Sequence, residues 1–139
     1  AGLRNSGDIV KALAGGASAI AGGNLFAGTD EAPGETLEID GIKYKEYSGS
    51  ASKEEKLRHL EKTPNTISQD YVQHVEGVSG LVKYKGPVEG VVNALVAGIR
   101  SGYSYCGAKN TEELWQKAEF VRITSGGMIE NNAHDITLK

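Results

Sequence analysis

Apolar residues at Ile9, Val10, Leu13 and Ala17 recur at the three- and four-residue spacing of one helical face. Ser6 is the expected N-cap, Asp8 falls in the first turn where the helix dipole favours an acid, and Gly15-Gly16 is the expected stop. The next run, ASAIAGG at 17–23, is short, small and apolar, and reads as a buried strand. A helix followed by such a strand is half of a βα unit. One more helical turn is expected to start at Asn24 in NLFAGTDE. Two runs then flank Asp40-Gly41 in TLEID-GI-KYKEY, which predicts a hairpin with Glu and Lys on its exposed faces.

From Ser48 to His74 the pattern fades. SKEEKLRHLEK predicts a solvated helix, ended by Pro64 and Asn65, and the whole region is the one expected to move. Order is expected to return at HVEGVSGLVKYKG. Pro87 suits the first residue of a helix whose apolar face is Val88, Val91, Val92, Leu95, Val96 and Ile99, closed by Gly102. NTEELWQKA carries the capping pattern Asn110-x-x-Glu113, EFVRIT at 119–124 reads as a strand, and SGGMIENNAHDITLK reads as a polar, irregular tail.

The chain has 139 residues, one domain's worth, and a net charge of −3. That charge gives no bulk electrostatic reason to expect a nucleic acid or a membrane surface as partner, and the basic residues are scattered. Apolar runs are far shorter than a membrane span, and no signal peptide is read. The single cysteine, Cys106, rules out an internal disulfide framework, so a reducing cytoplasm is the default expectation. Glycine is the outlier: 19 residues, about twice the usual share. Pairs such as Gly22-Gly23 serve either as helix stops and tight turns or as backbone that approaches a ligand closely. The same choice applies to the small run SGSAS after Tyr47, which is a solvated linker or a loop that lies against something other than protein.

The stretch AGLRNSGDIVKALAGGASAIAGGNLFAGTDEAPGE, residues 1–35, resembles the last strands of the barrel in the IMP dehydrogenase and GMP reductase family. There the pattern runs Asp-Gly-Gly-Ile-Arg, Ser-Gly-Asp-Ile-x-Lys-Ala, Gly-Ser, and Ala-Gly-Thr-x-Glu-x-Pro-Gly-Glu. VEGVSGLVKYKGPVEGVVNALVAGIRSGYSYCGAKNTEEL and AEFVRIT are similar to the same family, so the resemblance spans almost the whole chain. It implies an α/β fold: the C-terminal part of a (β/α)8 barrel, with a β-hairpin and a flap at roughly 48–75 inserted after the last strand. Residues 1–139 would then form the C-terminal portion of one catalytic domain, with the earlier barrel strands preceding Ala1.

In such barrels phosphate is held by the last βα loops at helix N-termini. The matching positions are Gly2 and Gly23-Asn24, with Asn24 where the family usually has Ser and Ala1 where it has Gly. The family's Tyr-x-Gly-Met-Gly-Ser matches Tyr47 to Ser52, so the resemblance implies that Tyr47, Gly49, Ser50 and Ala51 lie along the nucleotide. Glu76 matches the residue that hydrogen-bonds the purine. The tail resembles the bacterial dehydrogenase pattern, which implies that Glu130, Asn131 and Asn132 offer main-chain carbonyls to a monovalent cation, K+, in a neighbouring subunit.

The resemblance further implies a covalent link between a cysteine and purine C2, and hydride transfer with NAD, or NADP for a reductase. That cysteine is expected upstream of Ala1; Cys106, in YCGAK, reads instead as a small apolar side chain. Two features divide the family's reactions. GSASKEEKLRH, with Arg58-His59, resembles the reductase loop, and SQDY at 68–71 lacks the arginine of the dehydrogenase Arg-Tyr pair. The tail argues for the dehydrogenase, which is the reading favoured here. GMP reductase and a non-catalytic nucleotide-binding fragment are the alternatives. Relatives are homotetramers, so a homotetramer with a purine nucleotide ligand is the expectation.

Overall fold

A computed structural model of the chain describes residues 2–49, 52–62 and 79–131. The elements run α1 (Ser6–Ala14), β1 (Thr36–Ile39), β2 (Ile42–Ser48), α2 (Lys53–Lys62), β3 (Ser79–Lys83), α3 (Val88–Tyr105), α4 (Thr111–Lys117) and α5 (Ser125–Glu130). Among the described residues no helix is long and apolar enough to cross a membrane.

Asn5, not Ser6, caps α1: its Oδ1 accepts the Asp8 N–H at 2.9 Å from an extended backbone. Ser6 is the first helical residue, and its side chain fills the space over Gly98, where a Cβ would run into Ser6 Oγ. Asp8 ion-pairs with Lys11 at 3.1 Å and Arg4 at 3.4 Å. The bond from Lys11, then that from the Arg4 N–H, hold the Asp8 carboxyl below the usual carboxylate range. Gly15-Gly16 ends the helix as its sequence indicates, with Gly16 at φ 102°.

Residues 17–23 form no strand. A strand exists only through hydrogen bonds to a neighbour, and none pairs with this segment among the described residues. The predicted strand at 119–124 is likewise absent, and Phe120 and Val121 stand 65% and 79% exposed. The sheet that is present is antiparallel, in the order β1-β2-β3. The hairpin takes the expected turn: Asp40 and Gly41 have φ 52° and 75°, which Asp and Gly tolerate, and Ile39 pairs with Ile42. β3 pairs with β2 from Tyr44↔Lys83 to Ser48↔Ser79.

α2 matches the expected solvated helix in extent, yet Lys56 on it is buried. Pro64 and Asn65, expected to end it, lie outside the described residues. Pro87 is the N-cap of α3 and not its first turn, and the helix runs past Gly102 to Tyr105. Gly102 does not stop the helix. It is the point where α1 crosses α3, since a Cβ there would stand 2.6 Å from Val10 Cγ2. Val92 and Val96, expected on the inner face, are exposed, because the half-buried row runs through Val88, Val91, Leu95, Gly98 and Gly102.

Asn110 Oδ1 accepts the Glu113 N–H at 2.8 Å, which starts α4 as its capping pattern requires. Lys117, then the Lys109 N–H, hold the Glu113 carboxyl below its ordinary range. Trp115 donates its indole N–H to the Leu13 oxygen at 2.7 Å, tying α4 to α1. Ile9 and Leu114, both essentially inaccessible, lie in the buried core. The tail is less irregular than its composition suggested: Thr124 Oγ1 accepts the Gly127 N–H and starts α5.

Candidate functional site

After Gly22 the chain makes one helical turn. The N–H groups of Phe26 and Ala27 both donate to the Gly23 oxygen at 3.1 Å. A turn of this kind leaves its first N–H groups without partners. Those of Gly23, Asn24 and Leu25 donate to no acceptor among the described residues. Gly23 has room for a close approach: a Cβ there would meet only Tyr47 Oη, at 3.7 Å. The phenol reaches the turn from β2. A cavity of about 240 Å³ lies between them, lined by Gly23, Phe26, Ala27, Pro33, Tyr47 and Ser48 among others. Of the three residues with open N–H groups, Gly23 lines this cavity, together with a phenol, Glu46 and small apolar walls, whereas Asn24 and Leu25 line the cleft on the other side of the turn. A turn start with open donors beside such a cavity suits a ligand that carries an anionic group and a flat ring.

Four residues that the sequence reading passed over hold this turn. Lys45 Nζ donates to the oxygens of Thr29 and Asp30 at 2.7 and 2.9 Å, and the residue is buried. Lys85 Nζ donates to those of Asn24 and Leu25 at 2.9 and 3.1 Å. Tyr84 donates its hydroxyl to Asp30 Oδ1, and Glu31 Oε2 accepts the Val88 N–H at 2.8 Å. The bond to Asp30, then burial, push the Tyr84 phenol above its ordinary value. Main chain adds to the grip: Lys85 N–H donates to Gly28 O and Asp30 N–H to Gly86 O. Gly28 sits at φ 86°, where a Cβ would strike the Lys83 carbonyl, so only glycine fits. One signal was available in the sequence: Lys45 and Tyr47 are two apart on a strand and therefore share a face.

Of the expected site residues, Gly23 and Tyr47 come together: both line the cavity, and Tyr47 Oη is the atom that a Cβ on Gly23 would face. Asn24 lies on the other side of the turn, in a second cleft of about 430 Å³ that it shares with Arg4, Asn5 and Lys85. Gly2 lies just before that cleft, at φ 119° with open space around it, and lines neither cavity. Gly49 follows β2, and its carbonyl accepts the Ser52 N–H at 2.8 Å. Ser50, Ala51, Glu76 and Asn132 lie outside the described residues, as do residues 68–71. Glu130 ends α5 and Asn131 is its C-cap; both are exposed and distant in sequence from the cavity. Cys106 caps the far end of α3, about 27 Å by helical rise from the Val88 end that Glu31 touches. It is half-buried and free.

Among the described residues no group of three or more His, Cys, Asp or Glu is placed to hold a metal ion. At the end of α5 the Asn131 N–H donates to the Gly127 and Ile129 oxygens, and the described part of the expected set, the Glu130 and Asn131 carbonyls, offers main-chain oxygen as donor. That set fits a hard monovalent cation and not a transition metal.

Residues 1–134 match the IMP dehydrogenase / GMP reductase domain. The chain is 48% identical over 139 residues to inosine-5'-monophosphate dehydrogenase of Aquifex aeolicus, covering 99% of this chain and 28% of that protein. It is 45% identical over 145 residues to the enzyme of the same name from Methanocaldococcus jannaschii, covering 99% and 29%. Among solved structures it is similar to a GMP reductase from Trypanosoma brucei in complex with guanosine 5'-monophosphate. The TM-score is 0.85 at 44% identity, over 98% of this chain and 27% of that one. The chain thus spans less than a third of the length of these relatives.

Proposed function

The chain belongs to the IMP dehydrogenase / GMP reductase family, a family of oxidoreductases, and from that premise we propose that it serves the NAD-dependent oxidation of IMP to XMP in guanine nucleotide synthesis. The observation that carries this reading is the meeting of Gly23 and Tyr47 across a small cavity, beside three open N–H groups. In this reading residues 1–139 are the C-terminal portion of a catalytic (β/α)8 barrel, and roughly 48–75 are its flap. Gly2, Gly23 and Asn24 take the nucleotide's phosphate. Tyr47, Gly49, Ser50 and Ala51 lie along the phosphate and base, and Glu76 hydrogen-bonds the purine.

The chemistry follows from these roles. Main-chain N–H groups and the Tyr47 hydroxyl stabilise the phosphate by hydrogen bonds from fixed positions, and so fix where the purine sits. The cysteine that bonds to purine C2 belongs to the part of the family's length that this chain does not span. NAD accepts the hydride when bound. The carbonyls of Glu130, Asn131 and Asn132 would ligate K+, held in a neighbouring subunit of a homotetramer. A cytoplasmic setting is part of the same reading and rests on the lone cysteine.

The dehydrogenase is favoured because the curated relatives at 42–48% identity carry that name. GMP reductase, with NADPH as reductant, is the second reading, supported by the Trypanosoma brucei structure at 44% identity. The test is steady-state turnover by the purified full-length protein. NADH formation from IMP, stimulated by potassium, is expected. NADPH consumption with GMP and no turnover of IMP would transfer the assignment to the reductase, and uptake of nucleotide with neither turnover would leave a binding role alone.

A further inference from the structure

The turn at 23–31 is held at both ends by ammonium groups from different elements. Lys45, from β2, takes the oxygens of Thr29 and Asp30. Lys85, from the loop after β3, takes those of Asn24 and Leu25. Only the second contact falls on a peptide unit whose N–H is open, that of Leu25. A trans peptide points its C=O and N–H in opposite directions, and among the described residues no cis peptide bond is present. Holding the Asn24 carbonyl on Lys85 therefore aims the Leu25 N–H away from Lys85. Holding the Leu25 carbonyl does the same for the Phe26 N–H, which closes the turn on the Gly23 oxygen.

We infer that Lys85 is a positioning residue for nucleotide binding, orienting the Asn24–Leu25 peptide unit so that the turn presents the Leu25 N–H to the phosphate, and bracing the Leu25–Phe26 unit that closes the turn. The inference rests on the proposed nucleotide reading of the Gly23–Tyr47 site. Lys85 acts through the turn and lines the second cleft, not the cavity between Gly23 and Tyr47. Its effect is local for a structural reason. The later part of the turn is fixed independently by Lys45, by the Asp30 N–H to Gly86 O bond, and by Glu31 on the Val88 N–H. Removing Lys85 frees the Asn24–Leu25 plane, while the Phe26 N–H bond to the Gly23 oxygen still holds the next one. Lysine suits the task because one ammonium has three donors and can serve two adjacent carbonyls at once. Those carbonyls, near the start of a turn, would otherwise reorient toward water.

The test uses the full-length protein with inosine 5'-monophosphate and guanosine 5'-monophosphate as probes. Lys85 is exposed, so Lys85→Met is expected to fold. The nucleotide Kd and KM should rise about tenfold, as small misplacements of binding groups do. The cofactor KM and kcat should stay within about twofold, and Lys85→Arg should recover most of the loss. A Lys85→Met nucleotide Kd within about twofold of the parent overturns the inference. So does an equal rise in the cofactor KM, which marks a general loosening. If Lys85→Met does not fold, Lys85→Gln against Lys85→Arg decides by the same Kd. If the parent binds neither nucleotide, the nucleotide reading itself fails. Binding by the parent with an unaltered Lys85→Met sinks the role of Lys85 alone.

Discussion

Val10 and Gly102 meet where α1 crosses α3, and a Cβ on Gly102 would stand 2.6 Å from Val10 Cγ2. Gly90, three turns earlier on the same helix, faces open space. The two glycines therefore predict opposite signs for one substitution. Gly102→Ala forces the helices apart or Val10 out of its rotamer and should destabilise by about 1–3 kcal/mol. Gly90→Ala gains helix propensity without a clash and should stabilise by about 0.5–1 kcal/mol. Chemical denaturation of the two variants beside the parent measures both. Equal shifts of the same sign would show that the α1–α3 crossing is not as close as this.

What could be read from the letters, and what could not, divides along the same line. The hairpin at Asp40-Gly41, the Asn110 cap and the Gly15-Gly16 stop are local: one or two side chains fix each, and their neighbours do not matter. The strands expected at 17–23 and 119–124 depend on partners, and their composition says nothing about whether a partner is alongside. Gly102 looked like a helix end because glycine often is one, whereas its use here is contact between elements 92 positions apart in sequence. For the site, glycine and tyrosine at 23 and 47 were legible through resemblance. Lys45 and Lys85 were not, since a lysine in a charged strand or loop reads as solvent-facing until its ammonium is found on carbonyls.

Tyr84 and Asp30 share a hydrogen bond of 2.5 Å, with the phenol as donor. The bond exists only while Tyr84 keeps its proton, and the nearby charges of Asp30 and Glu31 oppose the phenolate. The folded pKa is thus raised above the ordinary value near 10. The sign follows: the bond's contribution is fully present below pH 10 and is lost as the pH rises through the higher folded value. Spectrophotometric titration of the six tyrosines should show a late transition that Tyr84→Phe removes. If Tyr84→Phe removes a transition that coincides with the others, Asp30 does not hold the proton.

Glu31 ties the site turn to α3 by accepting the Val88 N–H at 2.8 Å. Pro87, the N-cap, makes no side-chain capping bond and has no hydroxyl or carboxylate to offer, so the carboxylate arrives from another segment. It satisfies one of the helix's open donors and places negative charge at the positive end of an 18-residue helix. Glu31→Ala removes both and should cost about 1–2 kcal/mol, within the range for lost N-caps. Glu31→Gln keeps an acceptor but not the charge, and should lose roughly half as much at low salt, with the difference shrinking as salt screens the dipole term. Denaturant midpoints at two ionic strengths separate the parts. Because Glu31 also fixes the far end of the turn that Lys85 orients, its alanine variant should weaken nucleotide binding along with stability, whereas Lys85→Met should weaken binding alone. Glu31→Ala with full stability would mean that α3 finds its cap elsewhere.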